Sequence, residues 1–331
     1  MKIRMISEEL KNRYGSKVLK LSLSSGCTCP NRDGRAGSGG CSFCSEGGSG
    51  EFASDYAPLE EQIREAKKRV DRKFPKDLPE SARKYVAYFQ SFSNTYGPAE
   101  KLEPMYEEVL QRPEIVALSI GTRPDCIPDD ILNMLIRLNM IKPVWVELGL
   151  QTIHEKTAEA FNRGYRLPVF EETYQRLKKA GLTVIVHVIL GLPRESREDM
   201  LDTVRYLAAL TPVPDGIKLQ MLQILKGSRM GEEWMHDPFP LLSMEEYTDL
   251  VTECLSILPE EIVIHRMTGD PPRNLLIAPQ WTTDKKRVLN MLKSKIQAAA
   301  RLSGAAIGNM GGQNDYVISG QRHSKVYVLT L

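Results

Sequence analysis

Between residues 18 and 258 the chain repeats one pattern six times: a short apolar, β-rich run, then a longer stretch with apolar residues at helical spacing. The predicted strands are residues 18–23, 85–90, 115–120, 144–150, 183–190 and 217–222. The helical stretches fall at about 59–70, 98–110, 129–138, 169–179, 197–210 and 244–258. Pro98 fits the first turn of its helix, and Gly181 closes the helix before it. Parallel neighbours need a long crossover, so strands each followed by a helix imply a parallel sheet. These strands are nearly all apolar, as expected of a sheet covered on both faces or closed on itself. Two architectures satisfy that: a doubly wound open sheet, or a curved, partial (β/α)6 barrel. After about Arg266 the alternation lapses. One more helix, rich in Lys and Ala, is predicted over 284–302, and residues 305–331 are Gly-rich and then β-like at 326–329. The chain therefore divides into a core, 1–265, and a C-terminal extension, 266–331.

Between the first strand and first helix lies a loop with four of the six cysteines. It reads Gly26-Cys27-Thr28-Cys29-Pro30-Asn31-Arg32-Asp33-Gly34 and ends Gly40-Cys41-Ser42-Phe43-Cys44. Cys41 and Cys44 have the C-x2-C spacing that presents two thiolates to one metal centre, and glycines let the loop bring Cys29 back to them. Three thiolates on a 4Fe–4S cluster leave one iron without a protein ligand, where ordinary clusters take four. The alternative is a zinc site of Cys27, Cys29, Cys41 and Cys44, although structural zinc favours two well-spaced pairs.

Composition narrows the setting. No apolar run approaches the roughly 18 residues needed to cross a membrane, and residues 1–20 lack the continuous apolar core of a signal peptide. The expectation is a cytoplasmic protein with reduced thiols, so the cysteine crowding calls for a metal or redox explanation and not a disulfide framework. A net charge of +2 predicts no strong nucleic-acid footprint, although Arg64, Lys67, Lys68, Arg69, Arg72 and Lys73 cluster, as do Lys285, Lys286 and Arg287.

The cysteine loop resembles that of the radical S-adenosylmethionine (SAM) superfamily, and more narrowly the branch of the Elongator catalytic subunit and oxygen-independent coproporphyrinogen oxidase. The signature Thr28-Cys29-Pro30-Asn31-Arg32-Asp33-Gly34 with Gly40-Cys41-Ser42-Phe43-Cys44 is similar to that of a bacterial subgroup. The resemblance runs over residues 2–302. It implies a partial (β/α)6 radical SAM barrel, with a 4Fe–4S cluster on Cys29, Cys41 and Cys44 and SAM at the open iron. It places Phe43 near the adenine, and the segment with Ser91 and Asn94 near the methionine amine, although this chain lacks the glycines usual there. Thr122 and Arg123 stand in the Thr-Arg-Pro-Asp segment of the Elongator-like branch. Gln151 and Arg163, twelve residues apart, match a pair that contacts SAM in the coproporphyrinogen branch. Physically, the Arg suits the carboxylate and the Gln suits the ribose. His187 sits where relatives place a polar SAM contact. All of these lie at or near the C-terminal ends of predicted strands, where βα barrels hold their chemistry.

The resemblance also implies an activity. A reduced cluster would cleave SAM to methionine and a 5′-deoxyadenosyl radical that takes hydrogen from the substrate, with Cys126 as a candidate hydrogen donor or else a small buried hydrophobe. The subgroup resembles enzymes of tRNA wobble-uridine modification, in which a carboxymethylaminomethyl side chain is shortened to aminomethyl. Expected partners are tRNA and an electron donor such as flavodoxin or ferredoxin, with no membrane. Two alternatives stay open: the same chemistry on a small molecule such as a porphyrin precursor, and a non-catalytic zinc or iron–sulfur scaffold.

Overall fold

A computed structural model describes residues 3–48, 50, 53 and 56–302. The described strands are β1 (Arg4–Met5), β2 (Val18–Leu23), β3 (Lys84–Phe89), β4 (Ile115–Thr122), β5 (Val144–Gln151), β6 (Thr183–Leu190), β7 (Gly216–Met221), β8 (Ile224–Leu225), β9 (Val263–Arg266) and β10 (Leu276–Ala278). The described helices are α1 (Ile6–Tyr14), α2 (Leu59–Val70), α3 (Ala99–Gln111), α4 (Asp129–Ile141), α5 (Glu155–Ala160), α6 (Leu167–Lys179), α7 (Arg197–Ala209), α8 (Arg229–His236), α9 (Met244–Ile257) and α10 (Lys285–Leu302). Eight strands form one sheet in the order β1-β9-β7-β6-β5-β4-β3-β2, every pairing parallel. β8 and β10 pair antiparallel as a separate ribbon.

All six predicted strands form, and the sheet gains β9 and β1 beyond β7. Both are too short for a periodic signal, and β9 ends in His265 and Arg266. Residues 305–331, including the β-like 326–329, lie outside the described residues.

Side-chain contacts across the sheet decide between the two architectures. Lys218 on β7 reaches the Tyr88 hydroxyl on β3 at 3.1 Å, and Lys20 on β2 reaches Glu147 on β5 at 3.1 Å. In a flat sheet, four strand spacings would hold β7 and β3 roughly 19 Å apart. The sheet is therefore curled into a partial barrel whose inner face closes on itself.

The two faces are built differently. Outward residues such as Leu21, Ala87, Leu118, Val146, Leu148, Val186 and Ile217 join Tyr106, Leu135, Phe170, Leu201 and Leu250 of the helices in one continuous core. α10 joins that core through Val288, Leu292 and Ile296. At one end of the inner face, Leu10 of α1 packs with Val86, Val116, Trp145 and Ile185, plugging the barrel there. The other end, at the C-terminal ends of the strands, is where the long loops gather. No helix among the described residues is long and apolar enough to cross a membrane.

Candidate cofactor site

A cavity of about 1270 Å³ opens at the C-terminal rim and runs down the inner face. Cys29, Cys41 and Cys44 all line it. Their loop, between β2 and α2, has little regular structure and is held by side chains. Arg32 donates to the Ser45 carbonyl at 2.5 Å and to the Glu46 carbonyl at 3.3 Å. The Asn31 amide donates to the Asn162 carbonyl at 2.5 Å and approaches Cys41 Sγ at 3.7 Å. Asn162 in turn donates to the Gly40 carbonyl at 2.9 Å. Gly164, at φ +78°, must be glycine here, because a Cβ would meet Asn31 Oδ1 at 2.6 Å. The Cys44 amide bonds to the Cys41 carbonyl at 3.0 Å, the tight turn expected of C-x2-C.

The three thiols are close enough to perturb one another. A hydrogen bond to Cys44, then burial, then the proximity of Cys29 push the Cys41 thiol well up. Arg123 counters this from alongside, its guanidinium interacting with both Cys29 and Cys41. Three crowded sulfurs beside a buried cation fit a thiolate-held cluster, whose ligands must be deprotonated. Cys27 is not one of them. It packs into the main core near Gly97 and Leu102, and burial raises its thiol. Cys27 therefore stands apart from the three thiols that share the cavity, which does not suit a four-thiol zinc site.

The predicted SAM contacts divide into two groups. Phe43, Thr122, Arg123, Gln151, Arg163 and His187 line the same cavity as the three cysteines. Phe43 is tilted against Phe161 with ring centroids 5.2 Å apart. Gln151 has φ 66°, a conformation uncommon for a non-glycine residue and often tied to function. Its side chain folds over Gly149, where a Cβ would lie 2.6 Å from Gln151 Nε2. Arg123 forms a two-pronged pair with Asp125 at 2.8 and 2.6 Å and donates to the Arg163 carbonyl at 2.7 Å. Arg163 is 1% exposed, and its guanidinium is committed to the Leu150, Thr152 and Tyr165 carbonyls and to Glu155. In this conformation it braces the β5–α6 connection and does not present a free fork.

Ser91 and Asn94 are placed otherwise than expected, and Cys126 takes the packed alternative of its two readings. The Asn94 amide accepts from Ser25 at 2.7 Å and donates to the Gly121 carbonyl at 2.9 Å, so it ties two loops together. Ser91 packs against Gly50. From this segment, Gln90, Phe92 and Ser93 face the cavity instead. Cys126 is 3% exposed and outside the cavity wall. Burial, then Asp125, push its thiol well up. It is placed as a packed small side chain and not as a donor to a substrate.

Below the rim is a polar layer that the sequence reading missed. Glu147, 1% exposed, accepts from Ser119 at 2.6 Å, Lys20 at 3.1 Å, His187 at 2.7 Å and Lys218. Burial alone would raise its carboxyl. Lys20, Lys218 and His187 overcome that and hold it well below the usual carboxylate range. Burial, with Lys218 nearby, pushes His187 down to about 4, so the ring is neutral near pH 7. His187 thus faces a carboxylate within the wall. The available signal was a single polar residue at every second position of otherwise apolar strands: Lys20, Tyr88, Ser119, Glu147, His187 and Lys218.

Known proteins bear on this site. Residues 28–207 match the Radical SAM superfamily, and residues 214–298 match its Radical_SAM C-terminal domain. The Bacillus subtilis (strain 168) protein YtqA is 41% identical over 293 residues, 88% of each chain. A tRNA uridine(34) acetyltransferase of Methanocaldococcus infernus is 28% identical over 165 residues, 49% of this chain and 30% of that protein. The solved structure of archaeal Methanocaldococcus infernus Elp3 superposes with a TM-score of 0.59 at 20% identity, covering 74% of this chain and 59% of that one, a likeness of fold. With its cysteine loop, its curled parallel sheet and a family match spanning more than half its length, the chain belongs to the radical SAM superfamily.

Proposed function

We propose that this protein binds a 4Fe–4S cluster and SAM and modifies the wobble uridine of tRNA, shortening a carboxymethylaminomethyl group to aminomethyl. In this reading Cys29, Cys41 and Cys44 hold the cluster. Phe43, Thr122, Arg123 and Gln151 then surround SAM at the rim. When bound, such a cluster and SAM supply one-electron chemistry able to remove hydrogen from an unactivated C–H bond.

The protein's own part is positioning and exclusion. The α1 plug and the packed outer core close one end and the outer face of the barrel, which limits the routes by which water and stray hydrogen donors reach the lower cavity. Asn31 and Arg32 fix the loop that presents the thiols. Arg123, locked by Asp125, keeps a positive charge beside them.

The observation that carries the tRNA reading is the charge of the cavity wall. Arg32, Arg69, Lys73, Arg266, Arg273 and Lys285 line it, while the net charge of the whole chain is only +2. Positive lining around a wide mouth suits a polyanionic substrate. The M. infernus relative, named for uridine 34 of tRNA, points to the same base. Electrons would come from a flavodoxin or ferredoxin, in the cytoplasm.

The test is reconstitution under anaerobic conditions with SAM, reductant and tRNA from cells lacking this protein. Nucleoside mass spectrometry should show carboxymethylaminomethyluridine converted to aminomethyluridine, with 5′-deoxyadenosine formed alongside. SAM cleavage with no change in any tRNA nucleoside would reject the tRNA reading and favour a small substrate.

A further inference from the structure

The polar layer inside the barrel holds more positive charge than its own carboxylate can balance. Lys218 is 2% exposed, lies behind the cavity surface and pairs directly with Glu147. Those two charges account for each other within the wall. Lys20 and Arg266 remain, and both face the cavity. Lys20 shares the Glu147 carboxylate that Lys218 already occupies, at 3.1 Å, and stands over the Tyr88 ring at 4.5 Å. Among the described residues Arg266, at the end of β9, bonds to the neutral Gln220 amide alone, at 3.1 Å. His187 adds no charge near neutrality.

Burial disfavours the Lys218 ammonium, Glu147 opposes that, and Lys20 and Arg266 add to the disfavour, so its pKa is lowered on balance. If Lys218 gives up its proton, Lys20 and Arg266 still outweigh Glu147. Lys20 is 30% exposed and Arg266 partly exposed, and surplus positive charge in such a half-enclosed wall attracts an anion. The guanidinium of Arg266 has the planar fork that takes a carboxylate through two parallel hydrogen bonds.

We infer that Lys20 and Arg266 form an anion subsite on the inner wall of the barrel, below the rim, that receives the carboxylate of the substrate's side chain. This rests on the carboxymethylaminomethyl-uridine reading, which supplies one carboxylate on a short flexible arm. A pendant carboxymethyl group on a short arm can reach below the rim without the polymer backbone following it. The other source of a carboxylate is SAM itself. Glu147 precedes Gln151 by four residues on β5, which sets this layer deeper than the residues assigned to SAM.

The test uses the full-length, cluster-reconstituted protein and two anticodon stem–loop RNAs. One carries 5-carboxymethylaminomethyluridine and the other its carboxamide, equal in size and lacking the charge. Wild type should bind the carboxylate RNA about tenfold more tightly. Arg266→Met should bring the two within about twofold, and so should Lys20→Met, a partly exposed position whose loss leaves Glu147 paired with Lys218 and His187, if the first variant folds poorly.

A preference that survives in both variants overturns the proposal. So does a loss of SAM affinity in the variants, which would assign the pair to the SAM carboxylate. Malonate separates the subsite from the tRNA reading. If neither RNA binds selectively but malonate raises the melting temperature of wild type and not of Arg266→Met, the subsite stands and the uridine reading falls. If neither probe discriminates, the subsite itself is refuted.

Discussion

The two faces of the same sheet obey opposite rules. On the outer face, Leu148, Val186 and their neighbours are fully buried against helices, and each contributes through area and fit. On the inner face, two residues or fewer away, Glu147 and Lys218 are also buried and His187 is partly buried, yet each depends on its partners. Burial alone therefore does not tell what a position tolerates. An outer residue can be made smaller at a cost set by the cavity left behind, whereas an inner one cannot lose its partner without stranding a charge.

The largest effect is expected at the rim, where neither rule applies. Cys44→Ala should abolish SAM cleavage and sharply lower bound iron with the fold intact, as iron analysis and circular dichroism would report. Full activity in that variant would break the assignment of the three thiols. Next, Glu147→Ala leaves Lys218 and Lys20 without their carboxylate, and should destabilise by about 3–5 kcal/mol in chemical denaturation. Leu148→Ala, one residue on and facing outward, should cost about 2–5 kcal/mol while SAM cleavage per folded molecule is retained. If instead the Leu148 variant loses cleavage and the Glu147 variant keeps both stability and cleavage, the contrast between the faces is wrong.

A smaller effect concerns pH. Burial holds His187 at about 4 and His265 well below 6.5 in the folded chain. Between about 6.5 and 4 the unfolded chain therefore binds more protons, and stability should fall as pH drops through that window. Glu147 acts in the same direction at the acid end, since its folded carboxyl lies below 4.5. Melting temperatures should decline from pH 7 to pH 4. His187→Gln should make that decline shallower without removing it, because His265 remains.

The outer face was legible because it obeys a period. Apolar residues at alternate strand positions and at helical spacing locate six strands and the main helices that follow them, within three residues. The cysteine loop was legible for another reason, since thiols at that spacing have few uses. The inner wall was not, because one Lys or Glu in an apolar strand carries no sign of which side chains it will meet. Lys218 and Tyr88 are 130 residues apart in sequence, and only the curl of the sheet brings them together. Ser91 and Asn94 failed for a related reason. In a loop without a period, which side chains turn inward is settled by hydrogen bonds such as those of Asn94 to Ser25 and Gly121.

The unjoined edges of the sheet have a consequence for what it can enclose. A closed barrel of eight parallel strands has a bore that side chains fill completely. Here the order runs from β1 to β2 and stops, with no ladder among the described residues stitching the last strand to the first. The bore is thus free of the fixed circumference that closure imposes, and the flanks can stand apart without any strand giving up a backbone partner. Eight strands can then surround room for a nucleoside where a sealed ring of the same number would hold only its own residues.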